Sequence, residues 1–201
     1  MHFIDLGYVT PQDGIEAESR LLGGPSVPYG IIYTRDRPTV SLGHFSPAVT
    51  SVDTEYAEDH GISIIRRVSG GSAIYCDRNQ ITFSVITDRN RFADKEESYR
   101  ILCGCLVKTL DILGIDAEYK PMNDVLVNRM KISGCAQYRD RSRLIHHGSL
   151  ILRLDSETMD HVLYPVKERR YGRLTSIEEC LGHIPEREMV RKAFDEGFAE
   201  L

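Results

Sequence analysis

The sequence predicts an α+β domain, a mixed and mainly antiparallel sheet flanked by helices. Three observations carry this reading. Gln80 to Ile86 alternates polar Gln80, Thr82 and Ser84 with apolar Ile81, Phe83 and Val85, the period of a half-buried strand. Strand-like runs follow one another at Asp124 to Val127, Met130 to Ser133 and Leu144 to Leu152 with no helix between them, as antiparallel neighbours do. Between these groups, Lys95 to Leu113 places Tyr99, Leu102, Leu106, Leu110 and Leu113 at helical spacing.

The remaining elements follow in order. Phe3 to Gly7 reads as a short strand. Thr10-Pro11-Gln12-Asp13 opens a helix, with threonine as cap and proline at the first helical position, where no amide is needed; it runs to Leu22 and closes at Gly23-Gly24. Tyr29 to Thr34 and Thr39 to Leu42 are strands around the polar turn Arg35-Asp36-Arg37-Pro38, and Asp53 to His60 is a short helix stopped by Gly61. The stretch from Ile64 to Tyr75 reads as strand, cationic turn, strand: a glycine hairpin. Gly114 ends the long helix, and Gly104 within it, costly at a helix interior, predicts close packing there. Ser156 to Val162 and Glu186 to Phe198 are the last helices, the second with Met189, Val190, Ala193 and Phe194 inward. No internal repeat is visible.

With 201 residues, 41% hydrophobic and 27% charged, the chain can bury one substantial core. A net charge of −5 excludes the basic face that a nucleic-acid partner needs, so any cationic site must be local. Apolar runs fall short of membrane-spanning length, and Met1-His2-Phe3-Ile4-Asp5 lacks the basic start and apolar core of a signal peptide; no membrane partner and a cytoplasmic location are expected. Five cysteines, an odd number without framework spacing, fit free thiols in a reducing compartment. There is no Cys-x-x-Cys pair, and Cys103 and Cys105 point to separate faces of a helix, so no structural zinc site is expected.

Two stretches carry chemistry. Gly70 and Gly71 lack a Cβ and can take positive φ, baring amide N–H groups to a ligand, and Arg66 and Arg67 beside them suit a carboxylate or phosphate. The glycines alone fit an ordinary hairpin equally well. Asn123 to Gly134 folds as a second hairpin, turning at Asn128-Arg129. Pairing Val127 with Met130, Leu126 with Lys131, Val125 with Ile132 and Asp124 with Ser133 sets Asp124, Lys131 and Ser133 on one face with Leu126. There the carboxylate can hold Mg2+ and the ammonium an acyl or phosphoryl oxygen; a plain surface ion pair, worth at most about 1 kcal/mol, is the alternative. Arg129 is an awkward residue for a turn that needs positive φ. Of the adjacent His146 and His147, only one can face a given site, so they are not expected to share a metal.

Taken together, Arg66-Arg67-Val68-Ser69-Gly70-Gly71-Ser72-Ala73-Ile74-Tyr75, Asn123-Asp124, Lys131-Ile132-Ser133-Gly134-Cys135-Ala136-Gln137 and His146-His147-Gly148-Ser149 resemble the catalytic domain of lipoate-protein ligases, in order and spacing over roughly residues 3 to 180. The resemblance implies the biotin/lipoate protein ligase fold, an α+β sheet like that of class II aminoacyl-tRNA synthetases. It also implies two half-reactions: ATP activates lipoate or octanoate as an acyl-adenylate, and a lysine of a lipoyl domain or a glycine-cleavage H-type acceptor then attacks. Carried over by position, Arg67, Ser69, Gly70, Gly71, Ser72, Ala73 and Cys76 bind the acyl substrate, with His147, Gly148 and Glu18 closing its pocket. Asn123, Asp124, Cys135 and Ala136 bind ATP, Asp124 holds Mg2+, and Lys131 is the catalytic residue touching both the acyl carbonyl and the α-phosphate.

The sequence departs from the family pattern at several places. Ser72 replaces a third glycine, Cys76 a histidine, Cys135 a serine, and Asp77-Arg78-Asn79-Gln80 stands where Asp-x-Gly-Asn is customary. Single-chain ligases carry an accessory C-terminal domain. Residues 1–201 are expected to form one catalytic domain without it, so a small separate accessory subunit is an expected partner. Two alternatives stay open: an octanoyltransferase using Cys135 or Cys76 as thioester carrier, and a noncatalytic lipoyl-binding module. A biotin ligase is disfavoured, since its Gly-Arg-Gly-Arg loop and tryptophan are missing.

Overall fold

Two β-sheets organise the chain in the computed structural model, which describes residues 1–24, 27–164 and 173–201. The strands are β1 (Phe3–Val9), β2 (Tyr29–Arg35), β3 (Thr39–Leu42), β4 (Ser63–Arg66), β5 (Ile74–Cys76), β6 (Gln80–Asp88), β7 (Glu118–Lys120), β8 (Asp124–Val127), β9 (Met130–Arg139) and β10 (Arg143–Ile151). The helices are α1 (Pro11–Leu22), α2 (Thr54–Asp59), α3 (Lys95–Ile112), α4 (Ser156–Val162), α5 (Ile177–Leu181) and α6 (Arg187–Gly197). Seven strands form the large sheet in the order β1-β2-β6-β10-β9-β8-β7, and β4-β3-β5 form the small one. Only β1 with β2 and β3 with β4 run parallel, so the fold is the mixed, mainly antiparallel α+β class.

Helix starts follow the side chains available. Thr10 accepts from the Asp13 amide at the start of α1, Asp53 from the Tyr56 amide at α2, and Asp94 from the Glu97 amide at α3, each satisfying a donor the first turn would leave bare. Helix α3 buries Leu102, Leu106 and Leu110 against the large sheet, joined by Phe194 and Phe198 at the end of α6. Phe3 of β1 and Phe83 of β6 meet the Phe194 ring at centroid distances of 5.1 and 5.4 Å. Each such fully buried side chain is worth about 1.5–3 kcal/mol of transfer free energy. A second, smaller core of Val40, Leu42, Val52, Ala57 and Val162 joins the small sheet to α2 and α4. No helix among the described residues is long and apolar enough to cross a membrane.

Four expectations are corrected. The glycine stretch is not a hairpin: β4 and β5 both pair with β3, which lies between them, so the loop crosses from one side of the small sheet to the other. The Asn123 to Gly134 hairpin does turn at Asn128-Arg129, both at positive φ (49° and 65°), but a bulge shifts its open end. Asp124 therefore faces Gly134, and Ser133 sits opposite Val125 and Leu150, both core residues. Gly104 has open space where a Cβ would stand; the close helix contact is made instead by Gly197 of α6, packed on Thr109 and Cys105. Finally, β9 continues to Arg139, six residues beyond Ser133, because Gly134 to Arg139 pair with β10.

Candidate active site

A cavity of about 1320 Å3 is lined from both sheets, and the sequence-predicted residues gather on its walls. Glu18, Arg67, Gly70, Gly71, Ser72, Ala73, Cys76, Asn123, Lys131, Cys135, Ala136, His147 and Gly148 all line it. Ser69 and Asp124 stand behind the surface, each bonded to a lining side chain.

The glycine loop is held by its own arginine. Arg67 Nη1 donates to the Ser41 carbonyl at 2.7 Å, Nη2 to the carbonyls of Gly70 at 2.9 Å and Ser72 at 2.8 Å, and Nε to Ser69 Oγ at 3.2 Å. Only Gly71 of the glycine pair uses the left-handed region, at φ 101°, and a Cβ on Gly43 would collide with its carbonyl oxygen, so the loop lies flat on the strand end beneath it. Arg66 does the corresponding work one loop away, donating to the carbonyls of Gly43, His44 and Ser46.

Behind the loop runs a buried relay. Ser69 Oγ lies 2.6 Å from His147 Nε2, and His147 Nδ1 lies 3.0 Å from Glu18 Oε2. The other Glu18 oxygen accepts from Ser84 at 2.5 Å and from the Tyr33 hydroxyl at 3.1 Å, and Arg35 donates to Tyr33 at 3.4 Å. Burial works against the Glu18 charge, but the facing His147, with Ser84 and Arg35, holds its carboxyl below the ordinary range. Burial and the Glu18 charge push the Tyr33 phenol well up, which keeps it a donor. Strand alternation explains why His147 alone takes part: His146 points to the opposite face, against the Phe83 and Tyr99 rings.

Across the cavity the β8–β9 bulge brings Lys131 back over Gly134. A Cβ at Gly134 would stand 2.5 Å from Lys131 Nζ, so a side chain there would push the ammonium out of its present position. Lys131 Nζ lies 2.7 Å from Asp124 Oδ1, with the two side chains 15% and 11% exposed. Asp124 Oδ1 makes no aligned hydrogen bond, so this contact is an ion pair that leaves oxygen lone pairs for a cation. Asn123 ties the two strands beside it, donating to the Cys135 carbonyl at 2.5 Å and accepting from the Cys135 amide at 2.8 Å.

Two thiols differ sharply. Burial pushes Cys76 up to about 11. Cys135 is drawn well down, first by a hydrogen bond from Cys103 and, against burial, by His146 and Lys131; Cys103 is correspondingly raised. Tyr33, Arg35 and Ser84, which support Glu18, are read from the sequence as strand and turn residues and not as members of the site. Their one signal is an arginine closing an otherwise buried apolar strand, Tyr29 to Arg35.

The chain belongs to the lipoyl protein ligase A/B catalytic domain family, whose model matches residues 19–199. It is 31% identical over 146 residues to lipoate-protein ligase LplJ of Bacillus subtilis, covering 73% of this chain and 42% of that protein. It is also 31% identical over 202 residues to the octanoyltransferase LipM of Kyrpidia tusciae, covering 84% of this chain and 73% of that one. The chain thus spans under half the length of LplJ. Among solved structures, it superposes with a TM-score of 0.83 and 25% identity on the bipartite lipoate protein ligase described with its E2 lipoyl domain from Thermoplasma acidophilum, covering 99% of this chain and 82% of that one. A lipoate-protein ligase A bound with ATP gives a TM-score of 0.86 at 24% identity, covering 99% and 84%.

Proposed function

We propose that this chain is an ATP-dependent lipoate-protein ligase. It joins lipoate or octanoate to AMP and passes the acyl group to a lysine of a lipoyl domain or a glycine-cleavage H-type protein. The observation that carries the reading is the Lys131–Asp124 pair, 2.7 Å apart on the cavity wall, where two anionic substrates must meet. A carboxylate and a triphosphate repel, and a fixed ammonium offsets that repulsion most where charge builds on the attacked phosphate. The carboxylate oxygen attacks the α-phosphate and pyrophosphate leaves. The acceptor amine then attacks the acyl carbonyl and AMP leaves. No enzyme nucleophile is needed.

In this scheme Lys131 touches the carbonyl and the α-phosphate, and Asn123, Cys135 and Ala136 flank the nucleotide. Asp124 would hold Mg2+, which supplies further positive charge to the phosphates when bound. Arg67 shapes the loop Ser69 to Ala73 that wraps the acyl chain, while Cys76, Gly148 and the Glu18–His147 relay form its far wall. The lipoate ligases among the relatives support this assignment, and the ATP-bound ligase of the same fold supports the nucleotide site. The bipartite Thermoplasma ligase supports a lipoyl-domain acceptor and a separate accessory subunit as partners. A single catalytic domain over residues 1–201 working in the cytoplasm belongs to the same proposal; the free thiols fit a reducing compartment.

The LipM relative favours a second reading, octanoyl transfer through a cysteine thioester, and Cys135 with its depressed thiol is the residue to carry it. One experiment separates the two. A lipoyl-domain acceptor is incubated with the chain, free lipoate, Mg2+ and ATP, with and without an accessory subunit, and weighed by mass spectrometry. Acylation that requires ATP supports the ligase. Acylation from an octanoyl thioester donor without ATP, and none from free acid, refutes it.

A further inference from the structure

Behind β9, three buried side chains converge from three elements, none of them a group that reacts in the ligase scheme. The geometry points to a buried Zn2+ site formed by Cys103 of α3, Cys135 of β9 and His146 of β10. Their ligand atoms all lie within 4.8 Å of one another, and all three residues are buried. Tetrahedral zinc holds sulfur at about 2.3 Å and nitrogen at about 2.0 Å, which sets ligand atoms roughly 3.5–3.8 Å apart. Closing the group on an ion therefore needs movements of about 1 Å or less.

Two further observations point to a ligand rather than to ordinary packing. His146 is fully buried, and its Nε2 makes no well-aligned hydrogen bond: what faces it is the Cys135 sulfur, itself a metal ligand. The ring is also fixed in place. Phe83 and Tyr99 hold it at centroid distances of 6.1 and 5.7 Å, and Gln137 Nε2 sits 3.2 Å from its Nδ1. Charge closes the argument. Two thiolates alone in this core would be prohibitive, whereas two thiolates, a neutral imidazole and Zn2+ sum to zero. Sequence spacing hides such a site, because the ligands come one each from a helix and two strands.

In the metal-free chain Gln137 Oε1 faces Ser98 Oγ at 3.0 Å and Arg139 Nε at 3.3 Å, so its amide group donates to Nδ1 and the imidazole hydrogen rests on Nε2. Binding moves that hydrogen to Nδ1, and the Gln137 carboxamide turns its oxygen to accept it, giving up the hydrogen bond from Arg139 Nε. The Cys103 and Cys135 thiol protons are released to solvent as the two Zn–S bonds form. The site then staples α3 to the strand that carries Lys131. A glutamate at 137 would accept from His146, Ser98 and Arg139 at once, the carboxylate–histidine–metal arrangement that strengthens such sites.

The test uses full-length protein, reduced and stripped with a chelator, then titrated with Zn2+ against a chromophoric competitor and, separately, with Co2+. One ion per chain, sulfur-to-cobalt charge-transfer bands, loss of both in Cys103→Ser and in His146→Gln, and retention in Cys180→Ser are expected. Gln137→Glu, which keeps every partner of the wild-type side chain, should tighten Zn2+ binding about tenfold. Substoichiometric uptake, cobalt bound without sulfur bands, undiminished binding in Cys103→Ser, or no gain in Gln137→Glu each overturns the assignment. So does a reduced chain that takes up no zinc yet forms a Cys103–Cys135 disulfide on mild oxidation.

Discussion

His147 Nδ1 and Glu18 Oε2 meet at 3.0 Å with both side chains buried, which makes α1 part of the cavity wall rather than a cover laid over it. Because Glu18 titrates below its ordinary value of 4.5 in the folded chain, it contributes stability above pH 4.5 that is lost as pH falls through the lower, folded value. Glu18→Gln should cost about 1–3 kcal/mol at pH 7, and the gap to wild type should shrink as the pH drops below 4.5. Urea unfolding at several pH values measures this. A constant gap across the range would mean that the carboxylate charge contributes nothing.

Lys131→Ala should abolish acyl-adenylate formation, by at least about 100-fold, while leaving the fold intact. Asp124 stands behind the cavity surface and would lose its counter-ion, so a stability loss of about 3 kcal/mol should accompany it. Gly134→Ala tests the same geometry without touching the charge, since a methyl there occupies the space of Lys131 Nζ. It should slow pyrophosphate release and leave lipoate binding by calorimetry little changed. Full turnover in Gly134→Ala would show that the ammonium works from another position.

Much of this site was legible in the sequence because its parts are local. The Asn128-Arg129 turn, the α1 cap at Thr10 and the strand over Gln80 to Ile86 depend on near neighbours, and each stands in the structure at the expected place, although that strand is buried on both faces rather than half-buried, with Gln80 and Ser84 inside. The bulge was not legible. It depends on Gly134 admitting Lys131 and on Ser133 burying beside Leu150, a pairing set by β10, ten or more residues away. The glycine stretch misled for a related reason: two short strands flanking a glycine loop fit a hairpin locally, and only pairing with β3, more than twenty residues upstream, places them apart. The support of Glu18 by Tyr33, Arg35 and Ser84 likewise joins three segments whose spacing carries no periodic signal.

The two pocket cysteines should behave differently toward a small alkylating agent. With Cys76 held up near 11, its thiolate fraction at pH 7 is of order one in ten thousand, and its modification should be slow. Cys135, drawn down, should react first wherever reagent reaches the cavity. Under the ligase reading, Cys135→Ser and Cys76→Ser both retain ATP-dependent pyrophosphate release. Complete loss of acyl transfer in Cys135→Ser, with a thioester-linked acyl group trapped on the wild type, would favour the transferase instead.

Arg67→Lys separates shape from charge at the glycine loop. The guanidinium reaches the carbonyls of Ser41, Gly70 and Ser72 and the Ser69 Oγ, fanned around a plane that an ammonium cannot copy. Losing two charge-assisted bonds would cost about 3 kcal/mol if the loop stayed rigid, but freed carbonyls on a cavity wall find water. An increase of about tenfold in KM for the acid, equal to about 1.4 kcal/mol, is the expected result, with kcat changed much less. Hydrogen exchange should quicken over residues 69–72, while Arg66→Lys should loosen residues 43–46 instead. If Arg67→Lys lowers kcat and leaves KM alone, the guanidinium acts on the reacting phosphate and its role as a loop clasp is secondary.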